Sequence, residues 1–151
     1  MEALRAKLIE ACKYSIKEKL VEQKSEMFKI QESANNETKS SMGDKYETGR
    51  AMAQHELEKA TQNLKETERQ LEILNQLKDS HEENVRLGSF IMTDQEAYFI
   101  AIPLGLVEME GKFIIVISPA SPIGKVLIGK NKGDKFKFNE FEKQIVEVYN
   151  H

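Results

Sequence analysis

From Tyr46 to about Lys78 the chain has no proline, and an apolar residue recurs every seven positions. Leu57, Leu64 and Leu71 lie one heptad apart, while Tyr46, Ala53, Ala60, Thr67 and Leu74 fill the alternate seam position. Charged side chains such as Glu56, Glu58, Lys59, Glu66 and Arg69 take the positions between. This pattern holds one narrow stripe in line along a helix, and another helix has to cover it. Residues 3–32 supply a second helix, free of Pro and Gly, with a looser stripe of Leu4, Leu8, Ala11, Cys12, Ile16, Leu20 and Met27. Joined by a short polar stretch, the two predict a long antiparallel coiled-coil hairpin over residues 1–80, its tip at about 33–47. A helix of this length is ~50 Å long, so the hairpin would extend well beyond a small domain. Self-association through the same seam is the competing arrangement.

The pattern changes at Leu87-Gly88. Short β-type runs follow: SFIM at 89–92, AYFIAI at 97–102, FIIVI at 113–117, KFKF at 135–138 and QIVEVY at 144–149. KFKF alternates strictly, which sends its phenylalanines to one face and its lysines to water. Between the third and fourth runs, Ser121 suits an N-cap, Pro122 suits the first helical position, and Gly129 can stop a helix of about two turns. Residues 85–151 therefore predict a second domain, an antiparallel sheet with one short helix. The fold class is α+β. With 7% aromatic residues and no Trp, a single compact core for all 151 residues is disfavoured.

A net charge of −3 gives no basis for binding bare nucleic acid through its phosphates. The lysines at 125, 130, 132, 135 and 137 form a local exception and read as solvated surface. A single cysteine, Cys12, excludes an internal disulfide and a multi-cysteine zinc site, and its apolar neighbourhood reads as packing. No apolar run reaches the roughly 18 residues of a membrane span, and the opening MEALRAKLIEACKYS holds no secretory apolar block. A cytoplasmic protein is expected. His55, His81 and His151 have no ligand-type spacing, and Gly129 and Gly133 lack the Lys-Ser/Thr of a phosphate loop. No self-contained active site is visible.

The break between the helices reads MGDKYETGR, with Asp44 and Glu47 three positions apart. In the plain reading Asp44 caps the second helix and Glu47 sits favourably at the positive end of its dipole. In the functional reading the two carboxylates are half of a magnesium site. Mg²⁺ takes oxygen ligands and keeps waters, so two carboxylates suffice only where another molecule supplies the rest.

The segment SPIGKVLIGKNKGDKFKF (121–138) resembles the C-terminal domain of the bacterial Gre transcript-cleavage factors. Ser121, Pro122, Ile123, Gly124, Leu127, Ile128, Gly129, Lys130, Gly133 and Asp134 match that family's segment in order, and a weaker similarity runs from about Val85 to Tyr149. The resemblance implies an N-terminal coiled-coil hairpin followed by an FKBP-like domain. It implies a transcription elongation factor that is not itself an enzyme. The globular domain would dock on RNA polymerase through Ser121, Pro122, Ile123, Gly124 and Lys125, while the coil enters the secondary channel. Tip acids would help the polymerase hold Mg²⁺ and cleave backtracked RNA, meeting the RNA 3′ end only indirectly. No cofactor would be stably bound. The protein would be a monomer without a membrane partner, near the nucleoid through the polymerase.

Gly43, Asp44 and Glu47 match the Gly, Asp and Glu of the family's tip motif at identical spacing. Lys45 stands where the family has Leu, Thr48 where it has Asn, and its downstream Tyr is missing from its place. Two alternatives stay open: a regulator that occupies the channel without promoting cleavage, and a prolyl isomerase or chaperone module on a coiled-coil arm.

Overall fold

The structure, a computed structural model, describes residues 2–39 and 44–151, with side chains within 3–36 and 48–151. It contains two long helices, α1 (Glu2–Lys39) and α2 (Asp44–Gln76), then six strands and one short helix. Helix α1 runs seven residues beyond the Glu32 limit that the sequence suggests. Ser33–Lys39 contains no Pro or Gly, and its polar residues lower helix propensity without breaking the helix. The chain divides into two compact units, Tyr14–Glu72 and a second made of everything up to Lys13 with Ile73–His151. The first residues of α1 and the last of α2 thus fall in the same unit as the sheet.

In the helical unit α1 and α2 pack as an antiparallel hairpin. Ile30 and Ala34 border the same groove as Ala53 and Leu57, while Gln23 borders one with Ala60 and Asn63. The heptad seam is occupied within the chain: Thr67 is buried, and Ala53, Leu57, Ala60, Leu64 and Leu71 are half-buried. From α1 come Ile16 and Leu20, both buried, then Gln23, Met27, Ile30 and Ala34, all half-buried. Thr67 tolerates the seam because its hydroxyl donates to the Asn63 carbonyl at 3.0 Å; Thr61 does the same to Leu57 at 2.8 Å.

In the second unit β1 (Phe90–Thr93), β2 (Ala97–Ile100), β3 (Gly105–Met109), β4 (Lys112–Ile117), β5 (Lys135–Phe138) and β6 (Phe141–Tyr149) form one sheet, ordered β3-β4-β2-β1-β6-β5. All its neighbours are antiparallel except β2 and β4, which run parallel, so the sheet is mixed. Strand β3 is absent from the sequence reading; it lies at an edge of the sheet, is largely exposed, and has Gly105 and Glu108 among its apolar residues. A turn signal does exist. Glu110 and Gly111 both have positive φ, 50° and 75°, and close a two-residue hairpin of the type that a following Gly favours. Asn139 and Glu140 do the same between β5 and β6.

Strand β2 is buried on both faces. On one side Ile91, Tyr98, Ile100 and Ile145 join Ile123 and Leu127 of the short helix in a single core. The first turns of α1 also lie on this unit. The buried guanidinium of Arg5 donates to the Gly88 carbonyl at 2.8 Å and to Asp79 at 2.8 Å, and Lys7 pairs with Glu110. Leu4, Leu8, Cys12 and Leu74 are buried in the same unit.

Candidate functional site

Asp44 is the first residue of α2, and Glu47 lies in its first turn. Their side chains, and Gly43 altogether, lie outside the described residues. The two acids are thus placed by their helix alone: they open α2 at the end of the hairpin where the chain passes from α1 to α2.

The other candidate segment is visible atom by atom. Helix α3 (Pro122–Leu127) begins at an extended Ser121, whose hydroxyl accepts from the Gly124 amide at 3.0 Å and donates to the Ser118 carbonyl at 2.7 Å. Pro122 occupies the first helical position, where a missing N–H costs nothing. A Cβ at Gly124 would come within 2.3 Å of the Ser118 carbonyl oxygen, so only glycine fits. Gly129 ends the helix at φ +85° and donates to the Val85 carbonyl at 2.9 Å, and the Val85 amide returns a bond to Lys130 at 2.8 Å. Asp134 closes the following turn by accepting from the Asn131 amide at 2.8 Å.

Most residues of the matched segment therefore build the fold. Of the five expected docking residues, Ile123 and Gly124 are buried, whereas Pro122 and Lys125 are exposed and Ser121 is partly so. Beside them Val85, Leu87, Pro119, Lys125 and Ile128 line a shallow, mostly apolar groove. Leu87 and Ile128 are large apolar side chains left exposed there, and the sequence reading missed Leu87 because it stands next to a turn. Among the clustered lysines, Lys132 pairs with Glu147 at 2.6 Å, which raises its pKa; Lys125, Lys135 and Lys137 are exposed.

Burial pushes the Cys12 thiol up to about 11, so it is held neutral and packs as the sequence suggested. Tyr98 is raised further, by burial first and then by its hydrogen bond to Glu96, which also receives Lys143. Among the described residues no group of three or more His, Cys, Asp or Glu could hold a metal ion, and no helix is long and apolar enough to cross a membrane. His81 and His151, seventy residues apart, bring their rings to 5.6 Å, a proximity that no sequence spacing reveals.

No protein-family model matches the chain, and no curated protein matches it. Solved structures do align with it. The transcription factor Gfh1 is 20% identical, with 91% of this chain and 93% of that one covered, at a TM-score of 0.37. The GreA factor homolog 1 of Thermus thermophilus is 19% identical over 92% and 95%, at 0.37. Thermus aquaticus Gfh1 is 19% identical over 93% and 95%, at 0.35. Scores this low carry no argument, so the functional reading rests on the chain's own residues.

Proposed function

We propose that this chain is a Gre-like accessory factor of RNA polymerase, and that its hairpin delivers Asp44 and Glu47 to the polymerase active site. The observation that carries this reading is that Asp44 and Glu47, the acids of the sequence motif Gly-Asp-x-x-Glu, lie in the first turn of α2. The segment from Ser121 to Asp134 supports it from the other unit, because it keeps the family's residue order and the turns those residues build. Pro122, Lys125 and the groove with Leu87 and Ile128 would form the docking surface.

The donor set fits a hard divalent cation: two carboxylates offer oxygen ligands to Mg²⁺ but are too few to hold it alone. Asp44 and Glu47 would complete a shell whose remaining ligands belong to the polymerase and its RNA. Such an ion supplies the charge stabilisation of two-metal phosphodiester hydrolysis. The chain's own contribution is to position two carboxylates on a stiff element and to carry them in by docking. The reacting bond and the active site belong to the polymerase, so the chain is an accessory factor and not an enzyme.

A second reading, channel occupancy without cleavage, is favoured by one specific feature: Lys45 and Thr48 replace the Leu and Asn of the tip motif. A lysine beside two carboxylates competes electrostatically with a cation. A stalled elongation complex separates the two readings. Shortened RNA on adding the chain supports cleavage; a complex that binds the chain and leaves its RNA intact supports occupancy. No binding, or binding unaffected by Lys125→Glu with Leu87→Ser, overturns the docking proposal.

A further inference from the structure

The hairpin's own seam takes up one side of α1, where Ile16, Leu20, Gln23, Met27, Ile30 and Ala34 are buried or half-buried. The side turned away from α2 is expected to be polar. It carries instead Tyr14, Val21 and Phe28, which are 66%, 69% and 60% exposed. All three belong to the Tyr14–Glu72 unit. They fall seven residues apart, so they drift by only ~20° per step around the helix and stay in one row, ~10 Å between neighbours. A lone exposed apolar side chain is ordinary, but an aligned row on a long helix has the form of a second seam.

The charges beside the row say what could cover it. One flank carries Lys17 and Lys24, and the other carries Glu18, Ser25 and Glu32; all five are exposed. A second copy of α1 laid parallel, row against row, sets the lysine flank of each chain against the acidic flank of the other. Lys17 then meets Glu18 of the second copy, the symmetry makes this contact twice, and Lys24 meets Ser25. Tyr14 already hydrogen-bonds Glu18, but a carboxylate has room for a second donor. Laid antiparallel about Val21, like flanks meet, and Lys17 falls beside Lys24 of the second copy. Pairs of this kind choose orientation and register more than they add strength.

We propose that the outer face of α1 is a homodimer interface, in which Tyr14, Val21 and Phe28 of two parallel copies pack against one another. The same patch serves on both copies, as a two-fold contact requires. Three apolar layers are few, so the dimer should form reversibly and only at micromolar concentrations or above. This departs from the monomer that the Gre resemblance implies, and it is independent of the function proposed above.

The test is sedimentation equilibrium of the full chain from low micromolar to near millimolar concentration. A reversible dimer is expected, weakened at least tenfold by Val21→Glu and unchanged by Met52→Glu, an equally exposed position on α2. Lys17→Glu should weaken it less, and adding Glu18→Lys should restore it. The Phe28→Cys chain should be joined to its counterpart by a short bifunctional maleimide, whereas antiparallel copies would hold the two positions ~21 Å apart along the axis. Cys12 is buried and should stay out of the reaction, as the parent chain would verify. The substituted positions are exposed, so the variants should fold, as circular dichroism would verify. A monomer at every concentration overturns the proposal. So does a dimer indifferent to Val21→Glu, or one in which Phe28→Cys fails to cross-link. If the parent chain stays monomeric and Val21→Glu weakens its binding to polymerase, the row belongs to that partner and the proposal is likewise overturned.

Discussion

The two units reach stability by different means. In the sheet unit β2 is buried on both faces, Arg5 is sunk beside Gly88, and Gly124 stands where no larger residue fits. In the hairpin unit most seam positions are only half-buried, and a polar Gln23 interrupts the stripe of α1. The side-chain oxygen of Gln23 has no protein partner. A sheet can enclose its residues from both sides, whereas two helices cover only one stripe of each other. The hairpin unit therefore has little packing reserve, whereas the sheet unit is closely packed.

Gly124→Ala should break that contrast most severely. A methyl group forced against the Ser118 carbonyl must displace the start of α3, and we expect a loss of about 3 kcal/mol in urea unfolding of the sheet unit. If stability changed by less than about 0.5 kcal/mol, the tight approach assigned to Gly124 would be wrong.

Arg5→Met should cost about 2 kcal/mol, because the buried Gly88 carbonyl loses its donor while the aliphatic stem is largely replaced. Hydrogen exchange should quicken first around Gly88 and Ser89. Faster exchange confined to the Tyr14–Glu72 unit would contradict the contrast between the units.

A pH limb comes third. Burial raises the Cys12 pKa from 9.0 to about 11 in the folded chain, so the folded state binds the thiol proton more tightly than the unfolded state does. That contribution is fully present below pH 9 and is lost as pH rises toward 11, amounting to ~1.4 kcal/mol lost by pH 10. Cys12→Ala should flatten this limb, and the native thiol should resist modification at neutral pH. Rapid labelling of the folded chain would count against its burial.

The smallest effect should be a gain. Gln23→Leu replaces an unsatisfied amide in the seam with an apolar side chain and should stabilise the hairpin by about 1 kcal/mol. Slower amide exchange between Tyr14 and Glu72, with the sheet unit unchanged, would sharpen the contrast.

How much of this could be read from the sequence varied with the kind of signal. The heptad leucines disclosed the hairpin because a seam repeats its demand every seven residues. Ser121, Pro122 and Gly129 disclosed α3 because capping is local chemistry. Strand β3 escaped because an exposed edge needs no apolar pattern. Arg5 and Asn150 escaped because their partners lie 61 to 83 residues away and are set by tertiary packing. The docking residues were legible only as a block: burial separates Ile123 and Gly124, which build α3, from Pro122 and Lys125, which a partner could touch. Asp44 and Glu47 were legible as a motif and stand in the first turn of α2, but their role would depend on another molecule's active site.

The central claim is that these two carboxylates act on a partner's chemistry. The direct measurement is the rate of RNA shortening in a backtracked elongation complex, comparing the parent chain with Asp44→Asn, Glu47→Gln and the double variant at saturating concentration. The account predicts acceleration by the parent, a loss of at least tenfold in each single variant, and no acceleration by the double variant, although it still binds the polymerase. A double variant that shortens RNA as fast as the parent would contradict it.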